Sequence, residues 1–308
     1  MFKIRYLFFI LIHLYIAQNR LTNKHKKRID LVFAINDKYI DYFLTSLVSI
    51  FKNSDNNSIY DIYVQVSDTF EKKNMDLIYS LEKIYFNCFI HFINMGKEFS
   101  KALKSYLDSS TYYRLNLPIL LPNIRRIIHI DSDSMILKDL MELYTLNFNE
   151  KYILGRLDLI TSELDSLGIY TQTYINCGIL LMDLYSLRKY NYVEKFNDYL
   201  KNHNNYKYLN HHDQTLINYV CSERIGVFRP KFHMWPFKDH EEIISFNNHL
   251  RKKYKEKDFL DDYDDPFIVH FPGHFKKKEY LNTCDFYFTY QKYTNETKEI
   301  INKIKNDF

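Results

Sequence analysis

Strand-like and helix-like segments alternate along the first part of the chain, and this alternation restricts the fold more than any other feature of the sequence. Residues 29–35 form a compact apolar run with strand character, and residues 39–53 then carry apolar side chains at helical spacing. Strand patterns return at 62–66 and 88–93, on either side of a helical pattern at 70–85. This order predicts an α/β fold, with a largely parallel sheet and helices on both faces.

The second half of the chain is less regular. Its pattern predicts a strand at 174–182, one long helix at 184–203, a shorter helix at 213–221 and a last strand at 267–271. Between 237 and 266 the sequence is highly charged, and we expect irregular structure there. We find no internal repeat and no linker rich in Gly, Pro or Ser. A single domain is therefore the economical interpretation.

Composition excludes several classes of protein. The chain of 308 residues is 46% hydrophobic and 26% charged, which is typical of a globular protein and not of a disordered one. Its net charge of +4 is spread between acids, so we expect no nucleic-acid partner. The cysteines are far apart and form no C-x-x-C pair, which argues against structural zinc and a disulfide framework but leaves a single disulfide open.

The N-terminus carries a short apolar segment. Lys3 and Arg5 precede an apolar run at 6–17, and a basic stretch follows at 24–28. The run is shorter than the ~20 residues that cross a bilayer as a helix. A signal peptide or short signal-anchor is the favoured interpretation, with a peripheral amphipathic segment or a helix packed on the domain as alternatives. An anchor implies association with a membrane or with a secretory (Golgi-like) lumen, and otherwise we expect the cytoplasmic face of a membrane.

The strongest local signal for chemistry is the segment Ile-Ile-His-Ile-Asp-Ser-Asp at 127–133, where an apolar strand ends on two acids. Alternation along an extended backbone places Asp131 and Asp133 on the same side, where both can contact one hard cation such as Mn²⁺ or Mg²⁺. The plainer alternative is a pair of loop acids that cap a helix or lie in solvent. A phosphatase of the haloacid dehalogenase type is another alternative, although its acids normally follow the first strand of the domain.

Further short motifs surround this segment in a fixed order. They are F-A-I-N-D-K-Y at 33–39, T-Y-Y-R-L at 111–115, D-S-D at 131–133, L-G-R-L-D at 154–158, Y-I-N-C-G-I-L-L-M at 174–182, H-D-Q-T-L-I-N at 212–218 and H-F-P-G-H-F-K at 270–276. In these motifs and their order the chain resembles glycosyltransferase family 8, the retaining group that includes bacterial lipopolysaccharide galactosyltransferases and glycogenin. No single motif is specific, but their common order over residues 29–276 is.

The resemblance implies a fold and an activity. The fold is of the GT-A type, a single Rossmann-like domain with a mostly parallel mixed sheet and helices on both faces. The activity is transfer of a hexose, glucose or galactose, from a UDP-sugar to a glycan, lipopolysaccharide or protein acceptor, with retention of configuration. The implied organisation is an N-terminal segment at 1–27, the transferase domain at 28–276 and a C-terminal helical and aromatic extension at 277–308. A non-catalytic sugar-nucleotide-binding relative is the further alternative.

The resemblance also implies roles for individual residues. The metal, Mn²⁺ or Mg²⁺, would be held by Asp131, Asp133 and His270. The donor would be bound by Ala34, Asn36, Lys38, Tyr39, Arg114, Asp131, Ser132, Asp133, Asn176, Gly273 and Lys276. The residues implied nearest the transferred sugar, and assigned as catalytic, are Asp158, Asp213 and Gln214. Two departures stand out: the chain has Lys277 and Lys278 where the family often has Pro-Trp, and Asn36 where it usually has an aspartate.

The acceptor has no readable signal in the sequence. The acceptor would contact the irregular segments at 162–173 and 232–266, whose sequences contain no motif that identifies an acceptor. Trp235, with Phe232 and Phe237 nearby, could form a sugar-stacking platform or a packed cluster of aromatic rings. Both interpretations stay open at the level of the sequence.

Overall fold

The structure is a computed structural model that describes residues 26–96, 109–159, 173–202, 212–250, 253–276 and 278–307. Residues 1–25 of the predicted N-terminal signal segment at 1–27 lie outside these residues, and so does almost all of the expected acceptor segment at 162–173. Among the described residues, no helix combines the length and the apolar character needed to cross a membrane.

Strands and helices alternate through the first half of the chain, as predicted. The strands are β1 (Lys27–Ala34), β2 (Ser58–Val66), β3 (Cys88–Asn94), β4 (Arg126–Ile130), β5 (Ser134–Ile136), β6 (Ile153–Leu157), β7 (Ile175–Asp183), β8 (Ile225–Val227) and β9 (Ile268–His270). The α-helices are α1 (Ile40–Lys52), α2 (Lys72–Ser80), α3 (Leu117–Leu120), α4 (Met141–Tyr144), α5 (Leu184–Lys189), α6 (Tyr192–Asn202), α7 (His212–Val220), α8 (His240–His249), α9 (Glu256–Asp264), α10 (Lys278–Leu281) and α11 (Tyr287–Asp307). Short 3₁₀ helices occur at Asp37–Tyr39, Leu81–Lys83, Ser109–Asn116, Ser222–Arg224, Pro230–Phe232 and Gly273–Lys276.

The main sheet has seven strands in the order β3-β2-β1-β4-β7-β6-β8. Its neighbours pair in parallel, except that β7 runs antiparallel to both β4 and β6. This is the mostly parallel mixed sheet that the sequence predicts. Because β7 is reversed, its amino end lies at the same edge of the sheet as the carboxyl ends of the other strands.

Each face of the sheet is covered by an apolar layer, and β1 shows why. Its side chains alternate between two buried clusters: Leu31 and Phe33 pack with the apolar face of α1, whereas Val32 packs on the opposite side with Leu117. A strand that is buried on both faces has a nearly continuous apolar sequence. The run that indicated a strand at 29–35 is therefore a central strand of a two-sided core.

A small second sheet joins two distant segments. Strands β5 and β9 pair antiparallel, with Ser134 opposite His270 and Met135 opposite Val269. Strand β5 begins directly after the D-S-D segment, so this pairing brings the end of the last strand to the predicted metal site.

The prediction of one long helix at 184–203 is wrong, because the structure has two helices there, α5 and α6. Asn191 lies between them with a φ of 54°, in the left-handed region that asparagine enters more easily than most residues. The apolar pattern continues across this break, so its helical spacing did not reveal that the backbone changes direction.

The prediction of irregular structure between 237 and 266 is also wrong, because this segment contains the helices α8 and α9. The side chain of Asp239 caps α8 by accepting the Glu242 N–H at 2.8 Å. Phe246 on α8 and Phe259 on α9 are buried in one apolar cluster. Much of the charge of this segment lies at exposed helical positions such as Glu241, Glu256 and Asp261.

The C-terminal extension packs against the domain. Tyr293 on α11 is buried, and its hydroxyl accepts a hydrogen bond from Nδ2 of Asn53 at 2.6 Å. Ile304, near the end of α11, belongs to the same apolar cluster as α1. The described part of the extension therefore contributes to the core.

Candidate active site

The predicted site residues gather at the carboxyl edge of the main sheet. Strands β1, β4 and β6 end there and β7 begins there, so the segments that carry Asn36, Asp131, Asp158 and Asn176 lie side by side. A cleft of about 510 Å³ opens at this edge. Its lining residues are Ala34, Ile35, Asn36, Lys38, Tyr39, Ser110, Thr111, Arg114, Asp131, Ser132 and Asp133.

Asp131, Asp133 and His270 form a compact group of ligand atoms, all within 4.8 Å of one another. Nε2 of His270 lies 3.1 Å from Oδ1 of Asp133 and 3.7 Å from Oδ2 of Asp131. Two carboxylates and one imidazole in this arrangement suit a divalent cation such as Mn²⁺ or Mg²⁺. The residues present therefore fit the metal that the sequence predicts.

Each carboxylate of this group has its own cationic neighbour. Nζ of Lys276 lies 2.7 Å from Oδ2 of Asp133, and the guanidinium of Arg114 lies 2.8 Å from Oδ1 of Asp131. Burial alone would raise the pKa of Asp133, but His270 and Lys276 outweigh it and lower this pKa to about 2. The carboxyl of Asp133 is therefore ionised at neutral pH, as a metal ligand must be.

Arg114 connects the metal group to helix α7. Its side chain is buried, its Nε lies 3.2 Å from Oδ2 of Asp213, and it donates to the carbonyls of Thr111 and Cys177. Burial raises the pKa of Asp213, Arg114 opposes this effect and Asp131 adds to it, and the resulting pKa is about 6. One guanidinium thus holds two predicted site carboxylates, which come from segments far apart in the chain.

Asp158, Asn176 and Gln214 form a second network beside the first. Oδ2 of Asp158 accepts hydrogen bonds from Nδ2 of Asn176 at 2.8 Å and from Nε2 of Gln214 at 3.2 Å. Oε1 of Gln214 accepts the Cys177 N–H at 3.1 Å. The register of β6 and β7 sets Arg156 opposite Asn176, so Asp158 emerges from the sheet next to this pair. The structure thus joins three residues that the sequence places in three separate motifs.

The remaining predicted residues lie around the cleft. Oδ1 of Asn36 accepts the Lys38 N–H at 2.9 Å and so caps the turn after β1. Nζ of Lys276 lies 3.3 Å from the hydroxyl of Tyr39 and 4.6 Å from the centre of its ring. Gly273 has a φ of 50°, a backbone conformation that favours glycine. The contacts of these residues with a donor stay predictions.

The aromatic residues around 235 form part of the interior. Phe232 and Phe237 are buried, and the half-buried Trp235 has the guanidinium of Arg156 stacked on its ring at 4.0 Å. Phe246 packs on the same indole at 5.1 Å between ring centres. Of the two interpretations that the sequence left open, the packed cluster is the one that this geometry favours.

Two residues that contact His270 were not among the site residues predicted from the sequence. An added Cβ at Gly178 would lie 2.5 Å from Nδ1 of His270, so only glycine fits there without a shift. The signal was present, because this glycine belongs to the N-x-G pattern at 176–178. Nε2 of His233 lies 2.9 Å from Nδ1 of His270, and burial lowers the pKa of His233 well below its usual value. No pattern in the sequence links residue 233 to residue 270.

A mostly parallel sheet whose central strand ends on a D-x-D pair, with a cleft beside the turn after β1, is the architecture of the GT-A glycosyltransferases. Residues 30–277 match the model of glycosyl transferase family 8, and the chain therefore belongs to this family. This match confirms the resemblance seen in the motifs. It also favours the transferase interpretation over the phosphatase alternative.

The chain is similar to several named proteins and solved structures at low identity. It is 24% identical over 217 residues to a putative glycosyltransferase of Haemophilus influenzae, which covers 67% of this chain and 63% of the relative. It is 22% identical over 249 residues to a lipopolysaccharide 1,2-glucosyltransferase of Escherichia coli, and this match covers 78% of this chain and 70% of the relative. The structure of galactosyltransferase LgtC, in complex with donor and acceptor sugar analogues, superposes with a TM-score of 0.72 at 16% identity, over 87% of this chain and 96% of that one. The chain thus spans less than two thirds of the length of the Haemophilus relative, and the similarity to LgtC establishes the shared fold.

Proposed function

We propose that this protein is a metal-dependent, retaining hexosyltransferase that moves glucose or galactose from a UDP-sugar to a glycan, lipopolysaccharide or protein acceptor. The observation that carries the proposal is the position of Asp131, Asp133 and His270 beside a cleft and beside the hydrogen-bonded network of Asp158, Asn176 and Gln214. The names of the Escherichia coli glucosyltransferase and of LgtC support a hexose donor, and the former supports a lipopolysaccharide acceptor.

The cleft supplies the parts that a nucleotide diphosphate needs. The turn at Asn36 offers amide and backbone groups that can bind a base edge. Arg114 and Lys276 place positive charge on both sides of the D-x-D segment, where a diphosphate would lie. A divalent cation held by Asp131, Asp133 and His270 would act as a Lewis acid that stabilises the leaving diphosphate.

The network around Gln214 supports retention of configuration. An inverting enzyme needs a general base opposite the leaving group, which is usually a carboxylate. The amide of Gln214 cannot serve as that base, and its Nε2 is already directed to Asp158 and to the hydroxyl of Tyr174. In the mechanism that we propose, the bond from the anomeric carbon to the diphosphate oxygen breaks first. The acceptor oxygen then attacks from the same face, and its proton passes to the departing phosphate.

The test is hydrolysis of a panel of UDP- and GDP-sugars with Mn²⁺ and without acceptor. UDP-glucose or UDP-galactose should be turned over, excess chelator should abolish the reaction, and added Mn²⁺ should restore it. Asp131→Asn should lose most activity without a lower melting temperature, whereas Asp68→Asn, at an exposed carboxylate, should behave as wild type. Undiminished turnover in excess chelator would contradict the assignment of the metal ligands. Phosphate release from simple esters without a sugar nucleotide would instead indicate the phosphatase alternative.

A further inference from the structure

His233 lies behind His270, on the side of the imidazole that faces away from the carboxylates. Nε2 of His270 lies 3.1 Å from Oδ1 of Asp133, and Nδ1 of the same ring lies 2.9 Å from Nε2 of His233. Both histidines are buried, with 2% and 0% of their surface exposed for His270 and His233. Solvent therefore does not compete for the bond between the two rings.

The backbone around His233 is anchored on both sides. The Met234 N–H donates to the carbonyl of Ile268 at 2.9 Å, and the His270 N–H donates to the carbonyl of Met234 at 2.8 Å. The His233 N–H donates to the carbonyl of Pro230 at 2.8 Å. These bonds fix the segment alongside β9, so the contact between the two imidazoles does not depend on a flexible loop.

The hydrogen bond has a consequence for metal binding, on the premise that the proposed metal site is correct. A neutral imidazole binds a cation through the lone pair of one nitrogen and carries its proton on the other. If Nε2 of His270 is the ligand atom, its proton must lie on Nδ1, and that N–H needs an acceptor. Nε2 of His233, in the tautomer that carries its own proton on Nδ1, is the acceptor within reach among the described residues.

We propose that His233 is a positioning residue, which holds His270 in the tautomer that presents the Nε2 lone pair to the cation. Without an acceptor at Nδ1, the ring gains more from the opposite tautomer, in which the Nε2–H donates to Asp133 and no lone pair faces the site. His233 therefore acts on metal affinity through His270.

The test compares two variants of equal length at this position. His233→Gln supplies an amide oxygen that can accept from Nδ1–H in place of the imidazole nitrogen, whereas His233→Met supplies no comparable acceptor. The readout is the Kd of Mn²⁺, measured by the electron paramagnetic resonance of free Mn²⁺ with and without saturating UDP. We expect the Met variant to bind Mn²⁺ about 10- to 100-fold more weakly than wild type and the Gln variant to stay within a few-fold of it. His240→Asn, at an exposed histidine, should leave the Kd unchanged.

Binding of UDP in excess chelator separates this role from a merely structural one, because it should be the same in all variants. Equal Mn²⁺ affinity in wild type and His233→Met would overturn the inference, and so would an equal loss in the Gln and Met variants. A wild-type chain that binds no Mn²⁺ would refute the metal site itself, and with it the proposed function.

A second measurement needs no variant. In ¹⁵N-histidine NMR spectra of the wild-type protein with Mg²⁺, His270 should carry its proton on Nδ1. A proton on Nε2 under those conditions would overturn the inference even if the substituted proteins failed to fold.

Discussion

The imidazole of His270 occupies the space beside Gly178 so closely that a Cβ atom at position 178 would lie 2.5 Å from Nδ1 of the histidine. Gly178 is the third residue of the N-x-G pattern, and its N–H donates to Oδ1 of Asn176 at 2.9 Å. The glycine is therefore required for a close approach between β7 and the metal group. Its backbone φ does not lie in the left-handed range.

Gly178→Ala should displace His270 from Asp133, because the new methyl group and the imidazole cannot occupy the same volume. We expect Mn²⁺ affinity to fall by about tenfold or more, by analogy with the loss of a group that orients a metal ligand. Isothermal titration with Mn²⁺ would measure the change. Gly226→Ala is a matched control, since it crowds the flexible end of Leu154 away from the site and should leave Mn²⁺ affinity unaltered.

Gln214→Ala should slow transfer without abolishing it. The amide positions Asp158 and the start of β7 through its hydrogen bonds, and the loss of a positioning group costs on the order of 10²-fold in rate. The remaining activity should still convert an α-linked donor into an α-linked product, which the anomeric coupling constant in an NMR spectrum reports. A β-linked first product from either protein would contradict the retaining mechanism. Gln291→Ala, on an exposed part of α11, serves as the control.

Asp213 should make the folded state less stable as the pH rises from about 4 to about 6. Its pKa is about 6 in the folded protein and 3.8 in a model compound, because burial raises it. When folding raises the pKa of a carboxyl group, the protonated group stabilises the folded state. This stabilisation is complete at pH values below the pKa of the unfolded state, and it is lost as the pH rises through the pKa of the folded state. The difference of about two pH units corresponds to at most about 3 kcal/mol.

Urea unfolding of wild type and Asp213→Asn, in chelator between pH 4 and pH 7.5, would measure this effect. The stability of wild type relative to the variant should decline across that range. Parallel pH profiles would show that the carboxyl is not held in the way the structure indicates.

The native side chain of Arg156 should lower the stability of the folded protein. It is fully buried, and among the described residues none of its guanidinium nitrogens has a hydrogen-bond partner. Burying an unpaired charge costs several kcal/mol, whereas stacking on Trp235 returns only about 2 kcal/mol. Arg156→Met should therefore raise the free energy of unfolding by about 1 kcal/mol or more.

The control for this prediction is Arg229→Met, which should have the opposite effect. Arg229 pairs with Asp262 at 2.6 Å, and that carboxylate is only 2% exposed. Removing the arginine leaves a buried charge without its partner, which is strongly destabilising. A loss of stability in both variants would mean that Arg156 is compensated in the folded protein.

The sequence alone determined the class of fold and the position of Asp131 and Asp133. Continuous apolar runs such as β1 indicate strands buried on both faces, and their alternation with helices leaves few arrangements other than a parallel sheet. The D-S-D pair follows β4, so its place at the carboxyl edge of the sheet was predictable from local pattern and connectivity. His270 was predictable only through the resemblance to family 8, because a lone histidine carries no such pattern.

Tertiary structure alone decided which residues surround those carboxylates. The pairing of β5 with β9 brings His270 to Asp133, and the reversal of β7 brings Gly178 against His270. His233 reaches the same ring through the backbone bonds of its neighbours with β9. These contacts join residues that are far apart in the chain, and they depend on strand order and register. Periodicity along one segment reports which face of that segment is buried, but not which other segment will cover it.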